Sequence, residues 1–402
     1  MPPAVARPDK SSTAAPVAGH DGWRRALLPL VMCGPFFVRR IHLLLTPQPI
    51  QDFVTYWAAG RLFLSGKDPY SMSAMLGIER SLGWPYAHTL VMLNPPWTLP
   101  LVALLALLPF AAAHALWLAV SVVIEAVCAL VLWNYFGGEH RQRWIALVLV
   151  ATFLPAATAE HMGQITPLML AGVTGFLVAL RHRRDVLAGA CLLLFGLKPH
   201  LLYLVLAAIL LWSIQKRKWS VLITPALCAV GTSLAAIAFN RNVLGYFHET
   251  LQAAVDTPCG VGGALRAIFG VQHVWLQFLP SAAGAAWFAW YWMRHRAVWT
   301  WEQRLPLLLL VSIGTAPYFW AHDFMLGLPA MVALAVQVGR ARAWVLAGAA
   351  YLLVQIIIMN TDDGSTKAWI ASVSLLWVVL YQAVTVLCAP AVGATERGAV
   401  AG

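Results

Sequence analysis

The chain has 402 residues, of which 60% are hydrophobic and only 11% are charged; a soluble domain carries about a quarter charged residues, so an ordinary globular fold in water is excluded and the bilayer becomes the solvent. The net charge of +11 does not point to nucleic acid. Its cations fall in short clusters between apolar runs, among them Arg181-His182-Arg183-Arg184, Lys216-Arg217-Lys218 and Arg294-His295-Arg296. That is the pattern of positive-inside orientation, and no nucleic-acid partner is expected.

Taken in order, residues 1–22 are rich in Pro, Ala and Ser and read as a disordered cytoplasmic tail, and 391–402 as a C-terminal tail. Between them lies one membrane domain, 23–390. A helix needs about 20 residues to cross the hydrocarbon. On that measure spans are predicted near 24–45, 88–110, 112–136, 143–160, 164–181, 186–213, 219–239, 272–293, 303–320, 323–338, 343–360 and 366–388. Trp23-Arg24-Arg25 before the first span lacks a clean cleavage site downstream, so this span reads as uncleaved. Two regions are too long for turns, 46–87 and 240–271, and both carry amphipathic helical spacing. They form the expected outer loops.

Charge fits this alternation in the second half and strains it in the first. Twelve alternating spans would leave Arg141-Gln142-Arg143 and Arg181-His182-Arg183-Arg184 outside, against the positive-inside tendency. A break at Lys198-Pro199 into two short half-crossing helices, with Lys198 and His200 at an outward-facing cavity, would offer an escape, because proline removes a helix hydrogen bond. Four of the six cysteines lie inside apolar runs, and no CxxC pair is present.

The functional candidates are polar groups placed against expectation, since burial there costs several kcal/mol unless they are paired or wet. Asp52 opens an amphipathic segment in which Phe53, Tyr56, Trp57 and Gly60 recur at helical spacing, with Arg61 beside them. It can be a helix cap, a base, or both. Asn94-Pro95-Pro96 frees carbonyls near a span start, and Glu160-His161-Met162-Gly163-Gln164 separates two apolar runs. Lys198-Pro199-His200 lies deep in an apolar run, where lysine cannot snorkel easily, and reads as a cation for phosphate or carboxylate. His322-Asp323 follows Pro317-Tyr318-Phe319-Trp320; Glu125 stands alone in mid-span and receives no chemical assignment. No Walker A, HExxH, GxSxG or DxD motif is present.

Asp52-Phe53 through Tyr56 and Ala58-Ala59, then Gly66-Lys67-Asp68-Pro69-Tyr70, resemble the first outer loop of glycosyltransferase family 87. The order Asn94-Pro95-Pro96, Gly163-Gln164, Lys198-Pro199 and Tyr318 to His322-Asp323 is also similar to that family, over roughly 50–340. Asn94 departs from the tyrosine that often precedes the proline pair. The resemblance implies an all-α GT-C bundle with its active site at the outer face of a bacterial plasma membrane. It also implies a polyprenyl-phosphate sugar donor, with mannose the first expectation, a lipid or glycan acceptor, inversion, and no metal or other cofactor. Asp52 is then the expected base. Lys198, His200, His322, Asp323, Gln164, His161, Asn94, Tyr56 and Arg61 are the expected donor- and substrate-binding residues. The competing reading is a polytopic transporter or flippase for a lipid-linked or anionic substrate.

Overall fold

The computed structural model describes residues 22–45, 52–90, 92–253 and 259–337, with isolated positions between 348 and 385. The predicted tails and the spans at 343–360 and 366–388 lie outside or almost wholly outside these residues. Secondary structure among them is helical throughout. The first helix, α1 (Gly22–Leu45), is followed by α2 (Asp52–Leu64), α3 (Met72–Ser81) and α4 (Leu99–Ala106). The middle of the chain holds α5 (Phe110–Tyr135), α6 (Arg143–Thr152), α7 (Leu154–Met162), α8 (Thr166–Arg181), α9 (Asp185–Phe195), α10 (Tyr203–Lys216) and α11 (Trp219–Phe239). Then come α12 (Val243–Ala253), α13 (Gly260–Phe269), α14 (Leu279–His295), α15 (Trp301–Gly314) and α16 (Leu328–Gln337).

Among the described residues, three helices are long and apolar enough to cross a membrane: α5, α11, and α10 with the turn before it, Pro199–Lys216. The α6–α7 pair qualifies as one span bent by 52°. Proline and glycine set these breaks. Pro155 sits at the start of α7, Pro167 at the start of α8 and Pro199 at the turn before α10, each where a helix N–H is dispensable. Gly163 ends α7 in the left-handed region at φ 63°. A Cβ there would also lie 2.4 Å from the Phe53 Cβ, so only glycine fits.

The helices run between two chemically different ends. At one, Arg143 Nε donates to Asn134 Oδ1 at 3.0 Å and the Arg181 guanidinium lies 4.1 Å over the Tyr135 ring. Arg181 also pairs with Glu302 at 3.2 Å, Lys218 with Asp185 at 2.8 Å, and Gln215 Nε2 donates to the Arg296 carbonyl at 3.2 Å. The basic clusters thus share one end. At the other end Asn240 Nδ2 donates to the Lys67 carbonyl at 3.0 Å, Ser281 Oγ to Thr315 O at 2.7 Å and Trp117 Nε1 to Gly163 O at 2.9 Å.

Two departures from the sequence reading produce this order. The segment expected to cross at 88–110 is helical only over Pro96–Ala106, too short for a span. It returns to the end it left: Asn94 reaches Leu197, Trp57 Nε1 donates to Leu108 O at 3.0 Å, and Phe110 meets Trp57 edge-on at 5.5 Å. Here α4 lies on α2, and Gly60 permits the approach, since a Cβ would stand 2.7 Å from Ala106 Cβ and the Val102 carbonyl. The segment predicted as one span at 186–213 is instead two helices, α9 and α10, meeting at the Lys198-Pro199 break. The basic clusters of the first half thereby join those of the second.

Candidate functional site

The polar end collects side chains from α2, the α7–α8 turn, the α9–α10 break and the 3₁₀ turn Ala321–Gly327. Asp52 is the first residue of α2, where a carboxylate faces the positive end of the helix dipole. Gln164 Nε2 donates to Asp52 Oδ2, and Gln164 Oε1 accepts from Lys198 Nζ at 2.8 Å and from Tyr56 OH at 3.2 Å. An ammonium can only donate and a carboxylate can only accept, so the amide orientation is dictated by its neighbours. Gln164 links the base-like and cationic halves of the cluster.

Lys198 Nζ also lies 2.9 Å from Asp323 Oδ1. Asp323 is fully buried. Its Oδ2 accepts the Trp320 backbone N–H at 2.9 Å and its Oδ1 accepts Thr166 Oγ1 at 3.5 Å, while His322 Nε2 stands 3.6 Å from Oδ1. Asp323 is therefore saturated by donors and anchors the lysine. Asp52, by contrast, stays partly exposed. Loss of water around it raises its pKa to about 6; Lys198 pulls the value down and Asp323 pushes it up. A carboxyl tuned this way is ionised at neutral pH yet basic enough to accept a proton.

The broken helix is held open by the Asn94 motif. Asn94 Nδ2 donates to the Leu197 carbonyl at 2.9 Å and Trp97 Nε1 to the Gly196 carbonyl at 3.1 Å. These are carbonyls that the helix end leaves without intrahelical partners. Tyr70 OH donates to the Asn94 carbonyl at 3.1 Å, so Asn94 and the Gly66-Lys67-Asp68-Pro69-Tyr70 turn both brace Lys198. His200 stacks on Tyr318 with ring centroids 3.9 Å apart, and its buried Nε2 makes no hydrogen bond among the described residues.

Of the ten residues singled out from sequence, Asp52, Tyr56, Gln164, Lys198 and Asp323 form one connected network. His322, His200 and Asn94 flank it. Two stand apart. Arg61 is exposed, 5.5 Å over the Trp57 ring, with Nη1 3.4 Å from the Ala106 carbonyl. His161 turns toward α1, its Nδ1 2.9 Å from the Leu43 carbonyl. Sequence reasoning passed over Thr166, whose hydroxyl gives no pattern signal, and Arg40, which falls beside Arg39 near the end of the first predicted span.

Such a bundle, with apolar helices and a linked carboxylate–amide–ammonium network at one end, defines a membrane protein equipped to handle a polar group at its edge. Family comparison makes the class specific: the chain belongs to glycosyltransferase family 87, whose model matches residues 92–317. It is a glycosyltransferase. The match takes in Asn94, Gln164 and Lys198, while Asp52 precedes it and Asp323 follows it. No curated protein and no solved structure matches the chain.

Proposed function

We propose that this glycosyltransferase moves a hexose, mannose first, from a polyprenyl-phosphate donor to a lipid or glycan acceptor, with inversion. The observation that carries the reading is the Asp52–Gln164–Lys198 chain, which sets a partly open carboxylate one amide away from an ammonium. In a single displacement, Asp52 accepts the proton of the acceptor hydroxyl as its oxygen attacks the anomeric carbon. The bond from that carbon to the phosphate oxygen breaks, and the electron pair leaves with polyprenyl phosphate. Lys198, already oriented by Asp323, offsets the charge that grows on the departing phosphate. His200 and His322, each with an Nε2 that makes no hydrogen bond among the described residues, are supporting donors. The proposal assigns no metal.

Location follows from charge. With the basic end in the cytoplasm, the polar end opens outward, where a lipid-linked donor presents its head group. Amphipathic α12 and α13 lie in the same outer region as α2 and α3, on the expected path of an acceptor.

The test uses the purified chain in detergent with radiolabelled polyprenyl-phosphate-mannose and a membrane lipid extract. Transfer that is abolished in a folded Asp52→Asn variant supports the assignment. Undiminished transfer by Asp52→Asn removes Asp52 as base, and no transfer from the mannosyl donor alongside transfer from the glucosyl one corrects the sugar.

A further inference from the structure

A second charged cluster lies inside the bundle, below the polar end. Arg40 of α1 donates through Nη2 to Glu125 of α5 at 2.8 Å and to Glu160 of α7, and through Nη1 to the Val150 carbonyl of α6. The side chains of all three charged residues are almost entirely shielded, at 7% exposure for Arg40 and 0% for both glutamates. Nothing in the proposed reaction uses them. Buried ion clusters of this kind seldom add net stability over an apolar replacement, so another role has to account for them.

The positions of the three partners supply that role. Val150 and Glu160 lie on opposite sides of the 52° bend between α6 and α7. The Val150 carbonyl belongs to the C-terminal turn of α6, where a helix has acceptors to spare and favours a cation. One guanidinium therefore caps α6 and ties down the last turn of α7. One turn beyond Glu160, α7 ends at Gly163 against Phe53, and Gln164 emerges to meet Asp52. Arg40 itself sits on α1, the helix that precedes Asp52 in the chain.

We propose that Arg40, with Glu160 and Glu125, is a positioning clasp that fixes the α6–α7 bend and thereby the Asp52–Gln164–Lys198 geometry. The proposal rests on the site reading above only for the chemistry it serves; the geometry it sets can be measured separately.

The decisive variant replaces all three residues together, Arg40→Met with Glu125→Met and Glu160→Met, which leaves no unpaired charge in the interior. It is expected to fold with a melting temperature at or above wild type. Its kcat is expected to fall by about a hundredfold, the cost of a misplacement of about 1 Å, with donor KM nearly unchanged. Wild-type kcat in this variant overturns the proposal. Arg40→Lys keeps the cation but not the fork, and is expected to recover part of the activity that Arg40→Gln loses; equal loss in both overturns the charge-dependent clasp.

Geometry is read without activity by disulfide formation between Asp52→Cys and Gln164→Cys, in a chain whose six native cysteines are replaced by alanine. Cross-linking is expected to drop when the Arg40→Met, Glu125→Met and Glu160→Met set is added. Unchanged yield overturns the clasp even if Asp52 proves to be the base. A drop in yield supports it even if Asp52 does not.

Discussion

The two charged clusters use the same ingredients and do opposite things. Around Lys198 two carboxylates and one ammonium come from three chain segments and are joined by Gln164 from a fourth, and Asp52 stays partly exposed. Around Arg40 two carboxylates and one guanidinium are packed onto three helices and closed off. The difference lies in which charge is left unsaturated. Asp323 is bonded by lysine, a backbone N–H and a threonine, which leaves Asp52 as the acid free to act. In the inner cluster, arginine faces both acids and a carbonyl, an arrangement that holds helices rather than reagents. Lysine suits the first site as a compact charge that can turn from Asp323 toward a phosphate; the fork of arginine suits the second.

This contrast is broken most severely by Asp52→Asn. Transfer is expected to fall by roughly 10²–10⁴-fold, the usual worth of a general base, measured as kcat with saturating donor. The same change is expected to raise the melting temperature at pH 7. The raised pKa, about 6 against an ordinary 3.8, means the ionised form is disfavoured in the folded chain. Folded-state protonation makes this group's contribution to stability grow as pH falls from about 6 toward 4, and asparagine removes the charge at any pH.

Arg40→Met alone inverts that result. It leaves two shielded carboxylates without a cation and is expected to cost about 3–5 kcal/mol of stability, read from thermal melts in detergent. Lys198→Ala returns to the open cluster, where a fall of about 10²–10³-fold in kcat, with a raised donor KM, is expected for a group stabilising the leaving phosphate. Kinetics equal to wild type would remove Lys198 from that role.

A pH profile sharpens the comparison without mutation. Because the base must be ionised, kcat/KM is expected to decline below an apparent pKa of about 6, not near the 3.8 of an ordinary aspartate. A profile flat down to pH 5 would place the base elsewhere. The smallest effect is expected for Arg61→Gln. Exposed, with a long contact to the Ala106 carbonyl and a place over the Trp57 ring, it should change stability by no more than about 0.5 kcal/mol and leave kcat within about twofold.

Much of the site was legible because membranes make polar residues expensive. Asp52, Gln164, Lys198 and Asp323 each interrupted an apolar pattern, and they converge. His161 interrupted one too, yet it faces α1, since neighbours in sequence on a helix turn point to different sides. Arg40 escaped notice because a cation near a span end looks like an orientation signal until its partners on α5 and α7 are seen. The segment 88–110 misled in the reverse direction. Its apolar run is as hydrophobic as a span, and composition cannot distinguish burial in lipid from burial against α2.

By itself the sequence determined the solvent, the helical class, and several of the places where helices stop. Apolar content requires internally satisfied backbone, and proline or left-handed glycine disfavours continuation, as at Pro155, Pro167 and Gly163, although α11 and α15 run through Pro225 and Pro306. Only the tertiary structure decided which ends of the helices meet. Direction alternates with every crossing, so one segment that turns back and one helix that breaks at Lys198 reassign whole clusters of charge. Those two events bring the basic residues to one end of the bundle and bring Asp52, Gln164, Lys198 and Asp323 together at the other.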